Sequence, residues 1–580
     1  MSTKRNFLSP LKTGFISVLF VLSNYAFAAT YYVENSGNNN ADGKTEATAW
    51  KTLDKVNAST FSPGDKILFK KGNIWHGRLK VSNSGSAGNP IVYSAYGSGD
   101  KPIIRDIFQQ DLSWSSYDTN IWRAPSSTKI RRFWEGNTEL HRAYLLDPFK
   151  DLGPSFRFAW KDGYVYLYKT STPSSSDYSF RKIGSAIYIP GKSYITIDNL
   201  DAQGGETCIY ADGCKYITIT NSNVGKDAYL GIDIGGDSSG SSAHNKILHN
   251  TIDSHWSFDD TNAYVGRNSD SRGCENGIHI THYGYDIEIA HNTLKDWGHS
   301  HIYAYDSRSN GIYDLNIHHN YFSTENADYG KGFDILGNVH QTEMAYNHFY
   351  KVTGGSDLNG HDNHFHHNIM EHTKHYGIRG SSGKSGNALN TNNGSGDVYN
   401  NTIENNIFAY SDSEGIRVNA YSSNGYDSND IIIRNNILYK NGDNSISGVD
   451  TPSLSIYNSQ YLSKVTVEDN LIVHAGSSNM IRYNGTTFSS VSTFDSATEV
   501  AGDSIKGTIS SDPQFVSATD YTLQIGSPAT AYGIDVSLIG PAGGPAPTVS
   551  AVTLPAATVS ETAPTNMEMG AFIMDRSGLR

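Results

Sequence analysis

The chain has 580 residues, a net charge of −13 at neutral pH and only 18% charged residues, against about 25% in an average globular protein. This acidic, weakly charged composition excludes a basic nucleic-acid-binding protein, and the 12% of aromatic residues exclude a disordered linker. Three cysteines in a chain of this length exclude a scaffold built on disulfides.

The N-terminus, residues 1–28, has the pattern of a secretory signal peptide. Lys4 and Arg5 precede the apolar run FISVLFVL (15–22), and Ala26-Phe27-Ala28 places small residues at the −3 and −1 positions of a signal-peptidase site. The apolar run is shorter than the about 20 residues that cross a bilayer. We therefore expect cleavage near Ala28, export of the mature chain, secretion to the periplasm or the extracellular space, and no membrane partner.

Residues 106–185 read as a β-rich insertion. This stretch carries Trp114, Trp122, Trp134 and Trp160 and ends in WKDGYVYLYKTSTP, whose Asp-Gly pair is typical of a hairpin turn. The aromatic side chains are expected chiefly to pack the insertion against the first coils of the repeat described next, and stacking on sugar rings is the alternative.

From about residue 190 onward one phrase recurs, in which apolar residues alternate around an asparagine, as in KILHNTI (246–252) and NIHHNYF (316–322). The spacings between successive asparagines run from 21 to 42 residues, which indicates a solenoid with loops of variable length. Alternation in short β-branched runs indicates strands. The asparagines are expected to stack as a structural ladder, since Asn tolerates turn geometry and can bond backbone groups. The aligned positions are Asn250, Asn292, Asn320, Asn347, Asn368, Asn406, Asn436 and Asn470.

Both ends of the chain carry a family resemblance. YYVENSGNNNADGKTEATAWKTLDKVN (31–57), GNPIVYSAYGSGDKPII (88–104) and SDPQFVSATDYTLQIGSPATAYGID (511–535) resemble the first and last coils of exported right-handed β-helix proteins. These include polysaccharide lyases such as the pectate lyases and the chondroitinase-B/alginate-lyase group. The resemblance implies an all-β, right-handed parallel β-helix with an N-terminal cap and first coils at 29–105, a core at 186–500, and final coils with a C-terminal cap at 501–580. It also implies a secreted enzyme that degrades polysaccharides.

A second phrase, Gly-apolar-variable-apolar, precedes each asparagine strand, as in NGIHITH (276–282) and KGFDILG (331–337). Neighbouring residues of a strand face opposite sides, so the variable residues should form one outward row along the solenoid and line a groove. His301 and Asp357 lie two residues before this row, and His361 two residues after it. The predicted row is Asp233, His279, Tyr303, Asp334, Asn359, Arg379, Arg417 and Ser447.

The first chemistry expected on this face is β-elimination from a uronate-containing polysaccharide. The carboxylate of the substrate must be neutralised before the neighbouring proton can be removed, by calcium or by a cation of the protein. GSDLNGHDNHFHHN (355–368) resembles the coil that carries an Arg-His pair in the chondroitinase-B/alginate-lyase family. In this hypothesis Arg379 and His361 are the catalytic pair and Lys331 is a reserve base. The expected calcium ligands are Asp334, Asp357 and Asn359, and the expected sugar-binding residues are Tyr303, His301, His279 and Arg417.

Two other functions compete with elimination. Asp334 and Asp357, one coil apart and offset by two residues, would lie roughly 8 Å apart, within the window of about 6.5–9.5 Å used by inverting glycoside hydrolases. A non-catalytic β-helix for carbohydrate binding or adhesion is the third hypothesis. In each case the expected partner is a polysaccharide, in the first case an anionic one, and the chain is expected to be a monomer.

Overall fold

Short strands account for nearly all of the regular structure in this computed structural model. Runs of Ile, Val, Phe and Tyr at alternate positions favour strands because one side of each strand faces a core. Each coil contributes to three sheets that stack in parallel along the solenoid, which we name sheets A, B and C. The structure describes residues 28–531 except 110, 127–129, 131–132, 137, 141–151, 155–156, 176–177, 182–183, 237–240, 255–273, 308–310, 326–329, 354, 375–388, 393–397, 420–427, 443–450, 458–463, 477–478 and 497–502.

Sheet A is the longest wall of the solenoid, and all of its pairings are parallel. Its strands are Thr30–Val33, Lys66–Lys70, Ile91–Tyr96, Ser193–Asp198, Lys215–Thr220, Ser242–Leu248, Gly284–Ala290, Ile312–His318, Val339–Ala345, Gly360–His361, His364–His366, Val398–Tyr399, Thr402–Glu404, Ser428–Asn429, Ile431–Arg434, Val465–Glu468 and Ser504–Lys506.

Sheet B follows sheet A in each coil and also pairs with strands of the insertion. Its strands are Ile74–His76, Ile103–Gln109, Phe133–Glu135, Thr138–Leu140, Tyr178–Arg181, Asp201–Gly204, Asn223–Val224, Thr251–Asp253, Thr293–Lys295, Tyr321–Ser323, His348–Tyr350, Ile369–Glu371, Ile407–Ala409, Ile437–Asn441 and Leu471–His474.

Sheet C precedes sheet A in each coil and carries the row of polar residues discussed below. Its strands are Leu79–Lys80, Ser185–Pro190, Thr207–Asp212, Leu230–Gly235, Asn276–Thr281, Ser300–Asp306, Lys331–Gly337, Ser356–Leu358, Leu389–Asn392, Ile416–Asn419, Leu454–Tyr457, Ile481–Tyr483 and Thr486–Phe488. The described helices are short, namely a 3-10 helix at Glu46–Thr48 and α-helices at Leu53–Ala58, Val491–Phe494 and Pro528–Ala531.

The β-rich insertion expected within 106–185 is confirmed. Four of its strands form a separate antiparallel sheet, Ser115–Asp118, Ile121–Pro125, Phe158–Lys161 and Tyr164–Tyr168. The aromatic residues of the insertion pack mainly with each other, as in the stacked rings of Phe133 and Tyr178 at 5.2 Å. Sheet B continues into the insertion through the antiparallel pairing of Tyr178–Arg181 with Ile103–Gln109.

One core fills the solenoid along its length. The inward residues of all three sheets are Ile, Val, Leu and Phe that are fully buried in a continuous cluster. Burial of such a side chain contributes about 1.5–3 kcal/mol, so each coil is stabilised by its neighbours. The three cysteines, Cys208, Cys214 and Cys274, are buried, and none of them is part of a disulfide.

The asparagine ladder lies at the corner between sheets A and B, as predicted. Asn320 shows the pattern: its Nδ2 donates to Ile289 O at 2.8 Å and to Asn347 Oδ1 at 3.0 Å, while its Oδ1 accepts from the backbone and side chain of Asn292. The residue before each ladder Asn has a positive φ, for example His319 at 53°. Left-handed geometry is costly for a non-glycine residue, and the buried asparagine bonds offset that cost in every coil.

Candidate active site

The register of sheet C brings a polar row together on its outer face. Asp233, His279, Tyr303 and Asp334 are successive partners across four strands, as the sequence phrase predicted. The next partner is Asp357, not Asn359. Leu358 is fully buried, so Asp357 takes the outward position. The row continues through Asn390, Arg417, Ser455 and Arg482.

The later part of the predicted row was therefore shifted. Arg379 lies in 375–388, outside the described residues, and the strand that pairs with Asp357 carries Asn390 at that position. Ser447 also lies outside the described residues, and Ser455 stands opposite Arg417. Arg379 stays a prediction.

Lys331 joins the two aspartates at the centre of the row. Its Nζ lies 2.7 Å from Asp334 Oδ1 and 2.5 Å from Asp357 Oδ2. Asp334 is the more deeply buried of the two, with 1% of its side chain exposed against 14% for Asp357. These are the contacts of an ammonium ion that donates to two carboxylates, so Lys331 neutralises charge and is poorly suited to the role of reserve base.

The spacing of the aspartates differs from the predicted 8 Å. Asp334 and Asp357 are direct partners without an offset. Two oxygens held by one nitrogen at 2.7 and 2.5 Å lie at most about 5 Å apart, outside the inverting window of about 6.5–9.5 Å. The prediction of inversion by this pair is wrong because the alignment displaced the strand Ser356–Leu358 by two residues.

Asp334 has further partners below the surface. Ser300 Oγ donates to its Oδ2, and His299 Nε2 lies 3.5 Å from the same oxygen. The other ring nitrogen of His299, Nδ1, lies 3.0 Å from Asn276 Oδ1, which makes Nδ1 the donor. His299, with 23% of its side chain exposed, is therefore held with its imidazole over the buried carboxylate.

His279 and Tyr303 occupy the next two positions. His279 Nδ1 lies 3.1 Å from Asp233 Oδ1, and Asp233 is nearly buried. A donor bond from Nδ1 to a carboxylate leaves the Nε2 lone pair as a base. The Tyr303 ring stacks on His279 at 5.2 Å and lies 5.7 Å from the His299 ring. Burial, and next the charge of Asp334, raise the pKa of the Tyr303 phenol, so it stays protonated.

His301 does not reach the surface. Its side chain is fully buried, with Nδ1 2.7 Å from Lys331 O and Nε2 2.9 Å from Ser323 O. Burial lowers its pKa although both carbonyl contacts oppose this. The expected sugar contact is corrected: His301 ties sheet C to sheet B inside the coil, because the ring folds inward at the strand start.

His361 belongs to sheet A, not to the polar row. It pairs with His340 and Tyr399, and the three rings stack at 4.7 and 4.4 Å. Its Nδ1 lies 2.7 Å from Asp362 Oδ2. His361 is therefore displaced from the predicted row, because the chain turns a corner at Gly360, whose φ is 100°. Its expected pairing with Arg379, which lies outside the described residues, stays a prediction.

Arg417 lies farther along the same row, where it forms a second cluster. Its guanidinium lies 4.8 Å from the centre of the Tyr457 ring, and Arg482 lies 5.2 Å from that ring. Arg482 also donates to the Tyr457 hydroxyl at 2.8 Å, and that hydroxyl lies 3.2 Å from buried Glu414. Arg417 Nε is buried without a hydrogen-bond partner among the described residues. This cationic end starts two strands beyond Asp357, about 10 Å at about 4.8 Å per strand.

The three expected calcium ligands do not fit that ion. Calcium takes six to eight oxygen ligands, but the Lys331 ammonium lies between Asp334 and Asp357. Asn359 is buried and is displaced by two positions from the row. The residues present supply a cation of their own, so we derive no step through calcium.

Sequence reasoning missed His299, Ser300 and Arg482. A signal existed for the first two, since Ser300 begins the strand that carries Tyr303 and His299 directly precedes it. Arg482 is the outward residue of IRYNG, which continues the repeat after the last coil used in the prediction.

Comparisons with known proteins agree with this architecture. Residues 185–337 match the family model described as a right-handed β-helix region, which confirms the predicted fold. No curated protein sequence matches the chain. Among the described residues, no helix has the length and apolarity needed to cross a bilayer.

Several solved structures are similar at low identity. A complex of XylC with xylose is 12% identical, with 84% of this chain and 87% of that chain covered and a TM-score of 0.48. The GH136 lacto-N-biosidase from Eubacterium ramulus is 13% identical, covering 83% and 68%, with a TM-score of 0.39. The pectate lyase Pel9A is 11% identical, covering 86% and 90%, with a TM-score of 0.36.

Proposed function

We propose that this protein is a secreted polysaccharide lyase that cleaves a uronate-containing polysaccharide by β-elimination on the outer face of sheet C. The carrying observation is the order of groups in the row: an Asp-oriented imidazole at His279, a protonated phenol at Tyr303, and the cation Lys331. Export is supported by the signal-peptide pattern of residues 1–28.

The reaction assigns one task to each group. Lys331 neutralises the uronate carboxylate. His279 Nε2 takes the proton from the carbon next to that carboxylate, and the electron pair forms the new carbon–carbon double bond as the bond to the glycosidic oxygen breaks. Tyr303 gives its proton to that leaving oxygen. General acid and base groups of this kind contribute about 10²–10⁴-fold each.

Burial argues against hydrolysis by two carboxylates. Both carboxyl groups of a hydrolase must reach the sugar. Asp357 is 14% exposed and is bound to Lys331, while Asp334 and Asp233 are only 1% and 6% exposed. The imidazoles of His279 and His299, at 21% and 23%, lie above them. The groups that meet a ligand are therefore bases, a phenol and a cation.

The far end of the row suits an anionic chain. Arg417 and Arg482 lie on both sides of Tyr457 and offer guanidinium groups to a second carboxylate of the polymer. A spacing of about 10 Å from Asp357 corresponds to about two strands of the sheet. This supports an extended substrate rather than a single sugar.

The test is an absorbance assay with a panel of uronate polysaccharides, run with and without a chelator. We expect growth of the unsaturated product's absorbance, unchanged by the chelator, because protein cations neutralise the substrate. Tyr303→Phe should lower the rate by about 10²–10⁴-fold. Tyr313→Phe, in the same coil but on sheet A, should leave it unchanged.

New reducing ends without absorbance would replace this proposal by glycoside hydrolysis. Binding of the polymer with neither signal would indicate a carbohydrate-binding β-helix. Full activity in Tyr303→Phe would remove the proposed acid.

A further inference from the structure

A second polar constellation lies on the outer face of sheet A. His364 and His366 alternate with the fully buried Phe365 on one strand, so both imidazoles face outward. Glu343 is the direct partner of His364 on the preceding strand. One ligand atom from each of these three residues lies within 4.8 Å of the other two. The proposed function makes no use of this group.

The nitrogens that converge on Glu343 are specific ones. His366 Nε2 contacts Glu343 Oε1, and His364 Nδ1 lies 3.4 Å from Oε2. The two rings are 4.1 Å apart between their centres. A divalent ion placed between the carboxylate and the two rings would replace contacts that already exist, with little movement of the strands.

The remaining ring nitrogens are each held from outside the group. His364 Nε2 lies 2.9 Å from Glu404 Oε1, and Glu404 is in turn bound by Arg434 at 2.5 Å. His366 Nδ1 lies 2.7 Å from His367 Nδ1, so one of them donates to the other. Metal-binding histidines generally donate their second N–H to such a partner, which fixes the ring orientation and the tautomer.

The burial of the group also suits a ligand site. Only 9% of the His366 side chain and 23% of the Glu343 side chain are exposed, whereas His364 is exposed at 35%. The group is therefore closed towards the sheet and open on one side to solvent. Two imidazoles and one carboxylate with an open fourth position form a donor set that zinc accepts.

We propose that Glu343, His364 and His366 bind one zinc ion and that this ion ties two neighbouring coils of the solenoid together. Glu343 comes from one coil and both histidines from the next. The ion therefore spans the interface on which solenoid stability depends.

The test is a titration of the chelator-treated, dialysed full-length protein with zinc chloride, followed by calorimetry. A parallel titration with cobalt chloride is followed by visible absorption. We expect one tight site, a cobalt spectrum of low coordination number, and a rise in the unfolding temperature on zinc addition. His364→Ala and His366→Ala should each weaken zinc by at least about 100-fold. His367→Ala should weaken it by about 10-fold, as loss of an orienting partner does.

The matched control is His244→Ala, which removes a histidine paired with the single carboxylate of Asp286. It should leave zinc affinity unchanged, and circular dichroism checks that each variant keeps its β-structure. The described residues also hold a second histidine group, His291, His318 and His319, whose ligand atoms lie within 4.8 Å of one another. Tight binding retained in the His364→Ala/His366→Ala double variant, or no tight binding in the unmodified protein, would overturn the proposal.

Discussion

Sheets A and C of the same coils use charge in opposite ways. On sheet A, opposite charges pair across successive coils: Lys246 with Glu288 at 2.5 Å, and Glu404 with Arg434 at 2.5 Å. On sheet C, the carboxylates lie beneath a layer of imidazole, phenol and ammonium groups. Ion pairs between successive coils stabilise sheet A. On sheet C, the groups above the buried carboxylates keep reactive atoms exposed to solvent.

The largest difference between sheets A and C is expected when one imidazole is removed from each. His279→Ala should lower lyase activity by about 10²–10⁴-fold, because it removes the proposed base. His340→Ala, from the ring stack on sheet A, should leave the rate unchanged. Initial rates on the best substrate of the panel measure both. Equal losses would mean that the two walls do not differ in function.

The corner of sheet A should show the largest effect on stability. Asn320→Ala removes bonds to Ile289 O, Asn292 and Asn347, all buried. Unpaired buried groups cost about 1–3 kcal/mol each, so we expect a loss of about 3 kcal/mol or more in the free energy of unfolding. Urea denaturation followed by circular dichroism measures it. Thr487→Ala, on the exposed last strand of sheet C, is the control. An equal loss of stability in that variant would show that the asparagine ladder has no special role in stability.

The sheet A pairs should also give stability a defined pH dependence. Burial lowers the pKa of His364, but hydrogen bonds to Glu343 and Glu404 outweigh it and raise the pKa to about 9. In the chelator-treated protein, this raised pKa adds stability that is fully present below pH 6.5 and is lost as the pH rises through 9. The hydrogen bond to His364, foremost, lowers the pKa of Glu404 to about 2, which adds stability that is full above 4.5 and lost as pH falls towards 2.

The difference in unfolding temperature between the unmodified protein and His364→Gln should therefore be largest between pH 4.5 and 6.5. Unfolding scans across the pH range measure it. A difference that stays constant from pH 3 to pH 10 would show that this pair does not titrate as described.

The smallest effect on stability is expected at the exposed ion pair between Lys246 and Glu288 on sheet A. Lys246 is 53% exposed, and exposed ion pairs contribute about 0–1 kcal/mol. Lys246→Ala should thus change the free energy of unfolding by less than about 1 kcal/mol, and high salt should remove the difference. Urea denaturation at two salt concentrations measures it. A larger loss would show that exposed ion pairs of sheet A, and not only the buried ones, are important for stability.

The repeat phrases in the sequence were enough to predict much of the fold and part of the site. The ladder positions, and the run Asp233, His279, Tyr303, Asp334, followed from alternation alone, since each strand in that stretch begins with a similar phrase. The predicted row became wrong at Asp334, whose partner was expected to be Asn359. The partner is Asp357, two positions earlier, because Leu358 faces inward. His361 was misplaced because the corner at Gly360 moves it to another sheet.

The repeat pattern was enough to predict a parallel β-helix, because alternating apolar residues and recurrent asparagines specify strands and corners locally. The right-handed form was implied by the resemblance to exported β-helix proteins. Which side chains meet became known from the three-dimensional structure. Lys331 reaches across a coil to Asp357, His301 turns inward, and Glu343 meets His364 from the strand before. Such contacts depend on the register between coils that are joined by loops of unequal length. That register is fixed by the stacking of all the coils and not by any local stretch of sequence.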